Sequence, residues 1–154
     1  MLELTRIKPQ DIQRLDDILR ENGIVKCSQE NCMAIYDGSD ITGIASFERY
    51  GSIAILENIA ILSGDPGDRL KDGLLRALLN MADLQGIRIF IVEKGTDSAF
   101  YEKMGFKGIS QREFVLPDEL KGLIGDDNRH IYTLLPDFFE KGCKSCSSCS
   151  GCNK

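Results

Sequence analysis

The sequence contains no tryptophan and a single histidine, His130, and its lysines and arginines never form a run longer than two. Each scarcity excludes something. One histidine gives little material for a Ser-His-Asp hydrolase triad. Scattered cations in a chain of net charge −5 lack the clustered basic footprint that phosphate backbones require, so no nucleic-acid partner is expected. Long apolar runs are also missing. Ile53–Leu56 and Ile59–Leu62 are interrupted by Glu57 and Asn58, and nothing approaches the ~18 residues of a membrane span. The chain opens on the strand-like Met1-Leu2-Glu3-Leu4, which predicts no signal peptide and a cytoplasmic location.

What is present fits one globular domain. The 154 residues are 42% hydrophobic and 28% charged, enough for one core and little more. The six cysteines are unevenly placed. Cys27 and Cys32 lie near one predicted strand, while Cys143, Cys146, Cys149 and Cys152 crowd the last residues. The expected division is a folded domain over 1–139 and a cysteine-rich tail over 140–154.

Periodicity supplies the elements. Ile12, Leu15, Ile18 and Leu19 recur at helical spacing between Pro9, suited to a helix start, and Gly23, suited to its stop. Met33–Tyr36, Ile41–Phe47 and Ile53–Leu62 read as three strands, with a turn at Asp37-Gly38 and a loop around Tyr50-Gly51. Short connections predict an antiparallel meander. Leu70, Leu74, Leu78 and Met81 form the stripe of a long helix, flanked by Leu75 and Ala82 and ended by Gly86. Ile87–Val92 reads as a strand buried on both faces. A short helix over about 97–104 follows, then a strand from Phe106, a small helix within Pro117–Ile124 and a last strand, His130–Leu135. The order predicts an α/β (α+β) sandwich with a mixed sheet.

Two segments at fixed separation, LENIAILSGDPGDRLKDGLLRALLNMADLQGIRIFIV (Leu56–Val92) and SAFYEKMGF (Ser98–Phe106), resemble the motifs of GNAT-superfamily N-acetyltransferases. Within that superfamily, YGSIAILENIAI followed by AFYEKMGF is similar to acetylglutamate-synthase-like and arsenic-resistance-associated members. The resemblance implies a mixed, mostly antiparallel sheet with a splayed parallel strand pair, Glu57–Leu62 and Ile87–Val92. It implies acetyl-CoA as cosubstrate, a small-molecule primary amine as acceptor, direct attack in a ternary complex, and a possible homodimer by analogy.

The site residues carried over are these. Ile59, Ile61 and Leu62 would line the thioester arm. Gly67, Asp68, Arg69, Leu70 and Lys71 would hold the pyrophosphate with helix-terminal amides or with the Arg and Lys side chains. The family loop reads Arg/Gln-x-x-Gly-x-Gly/Ala, whereas Pro66, Arg69 and Lys71 stand at those three positions, and of the loop only the accessory Gly67 agrees. Tyr101 occupies the place of the phenol that protonates the departing thiolate, the alternative being an aromatic that only packs. Glu57 would take the proton of the attacking ammonium; relatives of that subgroup carry a basic residue there, so Glu57 points to a cationic or neutral amine, the alternative being a surface glutamate. Strand alternation sets Glu57 on the face of Ile59. Glu48 and Tyr50 could line the acceptor pocket, and His130 reads as a hydrogen-bonded structural residue.

The tail CKSCSSCSGC spaces four thiols by two residues each. Cys143, Cys146, Cys149 and Cys152 could wrap a soft metal ion or an iron–sulfur cluster, or form a redox tail, or have no role. Cys27 and Cys32 could add ligands if the tail folded back. The loop's departures from the family pattern leave a second function open, a catalytically degenerate GNAT-fold module whose tail binds a metal or metalloid or senses redox state.

Overall fold

A computed structural model of the chain describes residues 2–64, 67–125 and 129–139. The chain divides into two compact units, Met1–Ile87 and Arg88–Lys154. No helix among the described residues is long and apolar enough to cross a membrane.

In the first unit, β1 (Leu2–Arg6), β2 (Cys32–Asp37), β3 (Asp40–Tyr50) and β4 (Ile53–Ile61) follow one another as antiparallel neighbours. The predicted meander is present, with β1 added at its edge. Both hairpins turn through two residues, Gly38-Ser39 between the paired Asp37 and Asp40, and Gly51-Ser52 between Tyr50 and Ile53. Gly38 has φ 64° and Gly51 φ 65°, a region that costs a glycine nothing. Gly43 has a different reason. A β-carbon there would sit 2.8 Å from Ile35 Cδ1, so only glycine lets β3 approach β2 beside the register shift at Ile35/Tyr36.

Helix α1 (Ile12–Glu21) follows a 3₁₀ turn at Pro9–Asp11, close to the predicted span. The Tyr36 hydroxyl fixes its start, accepting from the Lys8 N–H at 3.0 Å and donating to Asp11 at 2.8 Å. Leu15 enters a core cluster with Cys32, Ala34, Tyr36, Ile41 and Ile44. The longer α2 (Arg69–Leu84) buries Leu74, Leu75, Leu78, Leu79, Met81 and Ala82. Its buried face is broader than the predicted stripe, taking in Leu79 while leaving Leu70 half-buried at the first turn. Gly86, at φ 90°, closes it, with the Ile87 N–H bonded back to the Ala82 carbonyl at 3.0 Å.

In the second unit, β5 (Ile89–Glu93), β7 (His130–Leu134) and β6 (Lys107–Gly108) form an antiparallel ladder in that spatial order. Helices α3 (Ser98–Lys103) and α4 (Asp118–Lys121) lie between the strands in sequence. The strand predicted from Phe106 is only two residues long. A 3₁₀ turn at Ile109–Gln111, to whose Ile109 carbonyl Arg112 donates at 3.1 Å, takes the chain out of the ladder. Phe90, Ile91 and Val92 are buried, as a strand covered on both faces requires.

Candidate active site

The most organised polar cluster lies in the first unit, where β4 breaks its register. Ser46 pairs with Asn58 and Phe47 with Leu56, so Glu57 is one residue more than β3 can match, a β-bulge. The bulge turns two neighbouring side chains to one face. Asn58 Nδ2 donates to Ser46 Oγ at 2.7 Å, and Ser46 Oγ donates to Glu57 Oε1 at 2.9 Å. Simple alternation therefore fails here. Glu57 shares the face of Asn58, and Ile59, paired with Ala45, turns to the other side.

Glu57 is not a free surface glutamate. Oε1 also accepts from the Ser28 N–H at 2.7 Å, and Oε2 from Ser28 Oγ at 2.9 Å. A carboxylate offers about four lone-pair positions. Three donors fill three of them and leave one on Oε2. The segment carrying Ser28 is pinned at two further points. The Lys26 carbonyl accepts from Asn58 Nδ2 at 2.7 Å, and the Lys26 ammonium pairs with Glu48, to which the Tyr50 hydroxyl donates at 2.7 Å. That pairing raises the Lys26 pKa and lowers that of Glu48, each held in its charged form by the other. Glu48 and Tyr50, expected near the acceptor, thus join the cluster by gripping Lys26.

Asn58 adds a feature the sequence reading passed over. Its Oδ1 is buried with no hydrogen-bond partner among the described residues. Flipping the amide does not cure this, because the flipped oxygen would face the Lys26 carbonyl, acceptor against acceptor. A buried acceptor without a donor costs about 1–3 kcal/mol. Nothing in the sequence marks Asn58 except its place beside Glu57; the bulge could only be seen in the register.

Among the other predicted residues, Ile59, Ala60, Ile61 and Leu62 are all half-buried, so β4 keeps an accessible apolar stretch at its end. Gly67 and Asp68 are exposed immediately before α2, and Asp68 makes no side-chain cap. The amides of that first turn are therefore not consumed by a capping side chain. Arg69 and Leu70 line a cavity of about 520 Å³ with Leu2, Leu4, Ile35 and Gly73. Lys71 is half-buried.

In the second unit Tyr101 is buried, its ring meeting Phe100 edge-on at 5.3 Å and Phe106 at 5.5 Å. Burial first, then the charge of Asp97, push its phenol up to about 12. His130 opens β7 opposite Glu93, but its buried Nδ1 has no partner among the described residues, so the expected hydrogen-bonded histidine is not satisfied at that atom. Cys143, Cys146, Cys149 and Cys152, like Pro66, lie outside the described residues. Among the described residues no group of three or more His, Cys, Asp or Glu is placed to hold a metal ion.

Neither a protein-family model nor a curated protein matches this sequence. Solved structures do. The fold is similar to N-acetylglutamate synthase of Neisseria gonorrhoeae, solved with coenzyme A and N-acetyl-glutamate, at 15% identity and TM-score 0.66 over 88% of this chain. This chain spans about a third of that protein's length, 35% of it. A GNAT-family acetyltransferase of Staphylococcus aureus Mu50 is similar at 17% identity and TM-score 0.60, covering 88% of this chain and 99% of its own. Diaminobutyrate acetyltransferase of Paenibacillus lautus, in complex with 2,4-diaminobutyric acid and coenzyme A, gives 15% identity and TM-score 0.55 over 70% of this chain and 79% of its own. At these identities the likeness establishes architecture.

Proposed function

This chain has the fold of the GNAT acetyltransferases, and we propose that it transfers the acetyl group of acetyl-CoA to a primary amine of a small molecule. The observation that carries this reading is Glu57, held on the bulge by three donors with one acceptor position of Oε2 unspent. An unspent carboxylate acceptor fits an ammonium or amine better than an acidic group. The fold supports it, since relatives of this architecture bind coenzyme A, one of them together with a diamino acid.

In this reading Glu57 Oε2 orients the acceptor nitrogen, and Glu57 takes its proton directly or through a water. When bound, acetyl-CoA supplies the acetyl group as a thioester. Ile59, Ile61 and Leu62 would flank that arm. Gly67, Asp68, Arg69, Leu70 and Lys71 would hold the pyrophosphate, where exposed backbone ahead of a sixteen-residue helix and two cations favour an anion. Tyr101 takes its role from the Ser98–Phe106 motif. A phenol near 12 stays protonated at neutral pH, but full transfer to a thiolate of ordinary pKa about 8.5 is uphill by about 5 kcal/mol. Tyr101 would therefore donate a hydrogen bond to the leaving sulfur and let solvent deliver the proton.

Thermal unfolding with and without millimolar acetyl-CoA tests the reading. A ligand at about 100 times its dissociation constant adds about 2.7 kcal/mol of stability, several degrees for a chain of this size. An unchanged melting temperature would remove acetyl-CoA from the account.

A further inference from the structure

Cys27 and Cys32 take no part in the reaction proposed above, yet their sulfurs stand 3.8 Å apart. Cys32 is buried on β2, and Cys27 is half-buried on the segment that Lys26 and Ser28 clip to the sheet. We propose that the two form a reversible dithiol/disulfide site, closed by a peroxide and reopened by a dithiol reductant, and that closing it loosens the hold on Glu57. The second half rests on the functional reading above only for its consequence, not for its chemistry.

The two thiols are not equivalent, and that supplies the order of steps. Hydrogen bonding from Cys32 is the main influence on Cys27, opposed by burial and the Glu57 charge, and lowers its thiol from 9.0 to about 7. The same contact and burial raise Cys32. Cys27 is therefore the attacking thiolate. Its sulfur takes one oxygen of the peroxide as the O–O bond breaks; the other oxygen leaves as alkoxide or hydroxide and takes a proton from solvent. Cys32 then gives up its proton and attacks the Cys27 sulfur; the S–S bond forms, the S–O bond breaks, and the oxygen departs as water. Two sulfurs have lost two electrons and the peroxide has gained them. An external thiolate reverses the last bond by exchange.

A disulfide needs a sulfur separation of about 2.05 Å, so the pair must close by nearly half its present distance. Cys27 lies between Lys26, whose carbonyl holds Asn58, and Ser28, whose N–H and hydroxyl hold Glu57. Pulling Cys27 toward β2 disturbs both neighbours.

The test oxidises the folded full-length chain with dilute hydrogen peroxide and maps it by trypsin. No lysine or arginine lies between Cys27 and Arg49, so both cysteines fall in one peptide, which cleavage after Glu30 divides. The expected peptide is two hydrogens lighter, resists iodoacetamide until reduced, and keeps its halves together after cleavage at Glu30. With reduced protein at pH 7, Cys27, the more exposed of the two and the one with the lowered pKa, should alkylate before Cys32. In Cys32→Ser the Cys27 sulfenic acid should persist and be trapped by dimedone. The proposal is overturned if Cys27 and Cys32 stay reduced while tail cysteines oxidise, or if Cys27 links to a tail cysteine instead of Cys32. The loosening is read without enzymatic activity, as faster hydrogen exchange of the Ser28 amide in the oxidised form, reversed on reduction. Unchanged exchange would refute that half even where the disulfide forms and no acetyl transfer exists.

Discussion

Replacing Glu57 separates its two jobs, holding the 26–28 segment and serving the acceptor. Glu57→Ala removes the acceptor of three hydrogen bonds, from the Ser28 N–H, Ser28 Oγ and Ser46 Oγ. Bonds to a charged group contribute about 1.5–3 kcal/mol each, but these share one half-exposed side chain and are not additive, so a loss of about 3 kcal/mol is expected. For a chain of this length that is about 6–12 °C in melting temperature. Glu57→Gln differs. Its carbonyl oxygen can stand where Oε1 stands and accept from the Ser28 N–H and Ser46, while its amide donates to Ser28 Oγ, whose hydroxyl rotates to accept. All three contacts survive without charge, and the melting temperature should fall by about 5 °C or less. The carboxylate base is gone, so kcat/KM for the amine should drop about 10²–10⁴-fold. The assay is thiol release from acetyl-CoA, run beside calorimetry on both variants. Glu57→Gln working within threefold of the parent would refute the base and leave only a strut. Glu57→Ala melting like the parent would refute the strut.

Other outcomes follow from the same contacts. Asn58→Leu removes the Lys26 and Ser46 contacts that hold the segment beside Glu57, and should raise KM for the amine more than it lowers kcat, measured by initial rates. Tyr101→Phe keeps both edge-on ring contacts, so the variant should stay folded at neutral pH while kcat falls about tenfold or more. Because the folded phenol is raised to about 12 from 10.0, the parent's stability relative to Tyr101→Phe is undiminished below pH 10 and falls as pH climbs to 12. Denaturation curves should therefore show the parent losing about 2–3 kcal/mol more than Tyr101→Phe across that window. Gly43→Ala should cost about 1–3 kcal/mol by driving a methyl against Ile35, and Ile35→Val, which removes the nearest atom, should restore part of it in urea titration.

Much of the architecture could be read from periodicity because the strong signals were local. The 3.6-residue pattern from Ile12 to Leu19 and from Leu74 to Ala82 became α1 and α2, and the short turns at Gly38 and Gly51 set the hairpins. The strand after Phe106 failed for want of such a signal, since nothing before Ile109 shows that a 3₁₀ turn will take the backbone away. The site was half legible. Glu57 could be picked out as a carboxylate on an apolar strand, but period-two reasoning placed it on the wrong face, because a bulge adds a residue without altering composition. Asn58 and Ser28 were missed for a related reason. Their importance comes from partners about thirty residues away in sequence, Lys26 for the one and Glu57 for the other, and no local pattern encodes that pairing.

Incubating the purified protein with acetyl-CoA and, one at a time, small monoamines, diamines and amino acids, while following free coenzyme A, confronts the proposed activity head-on. Thiol release that depends on one class of amine, with the acetylated amine seen by mass and the rate collapsing in Glu57→Gln, is the predicted result. Release no faster than the amine-free background for every acceptor, from protein whose folding is intact, would contradict it.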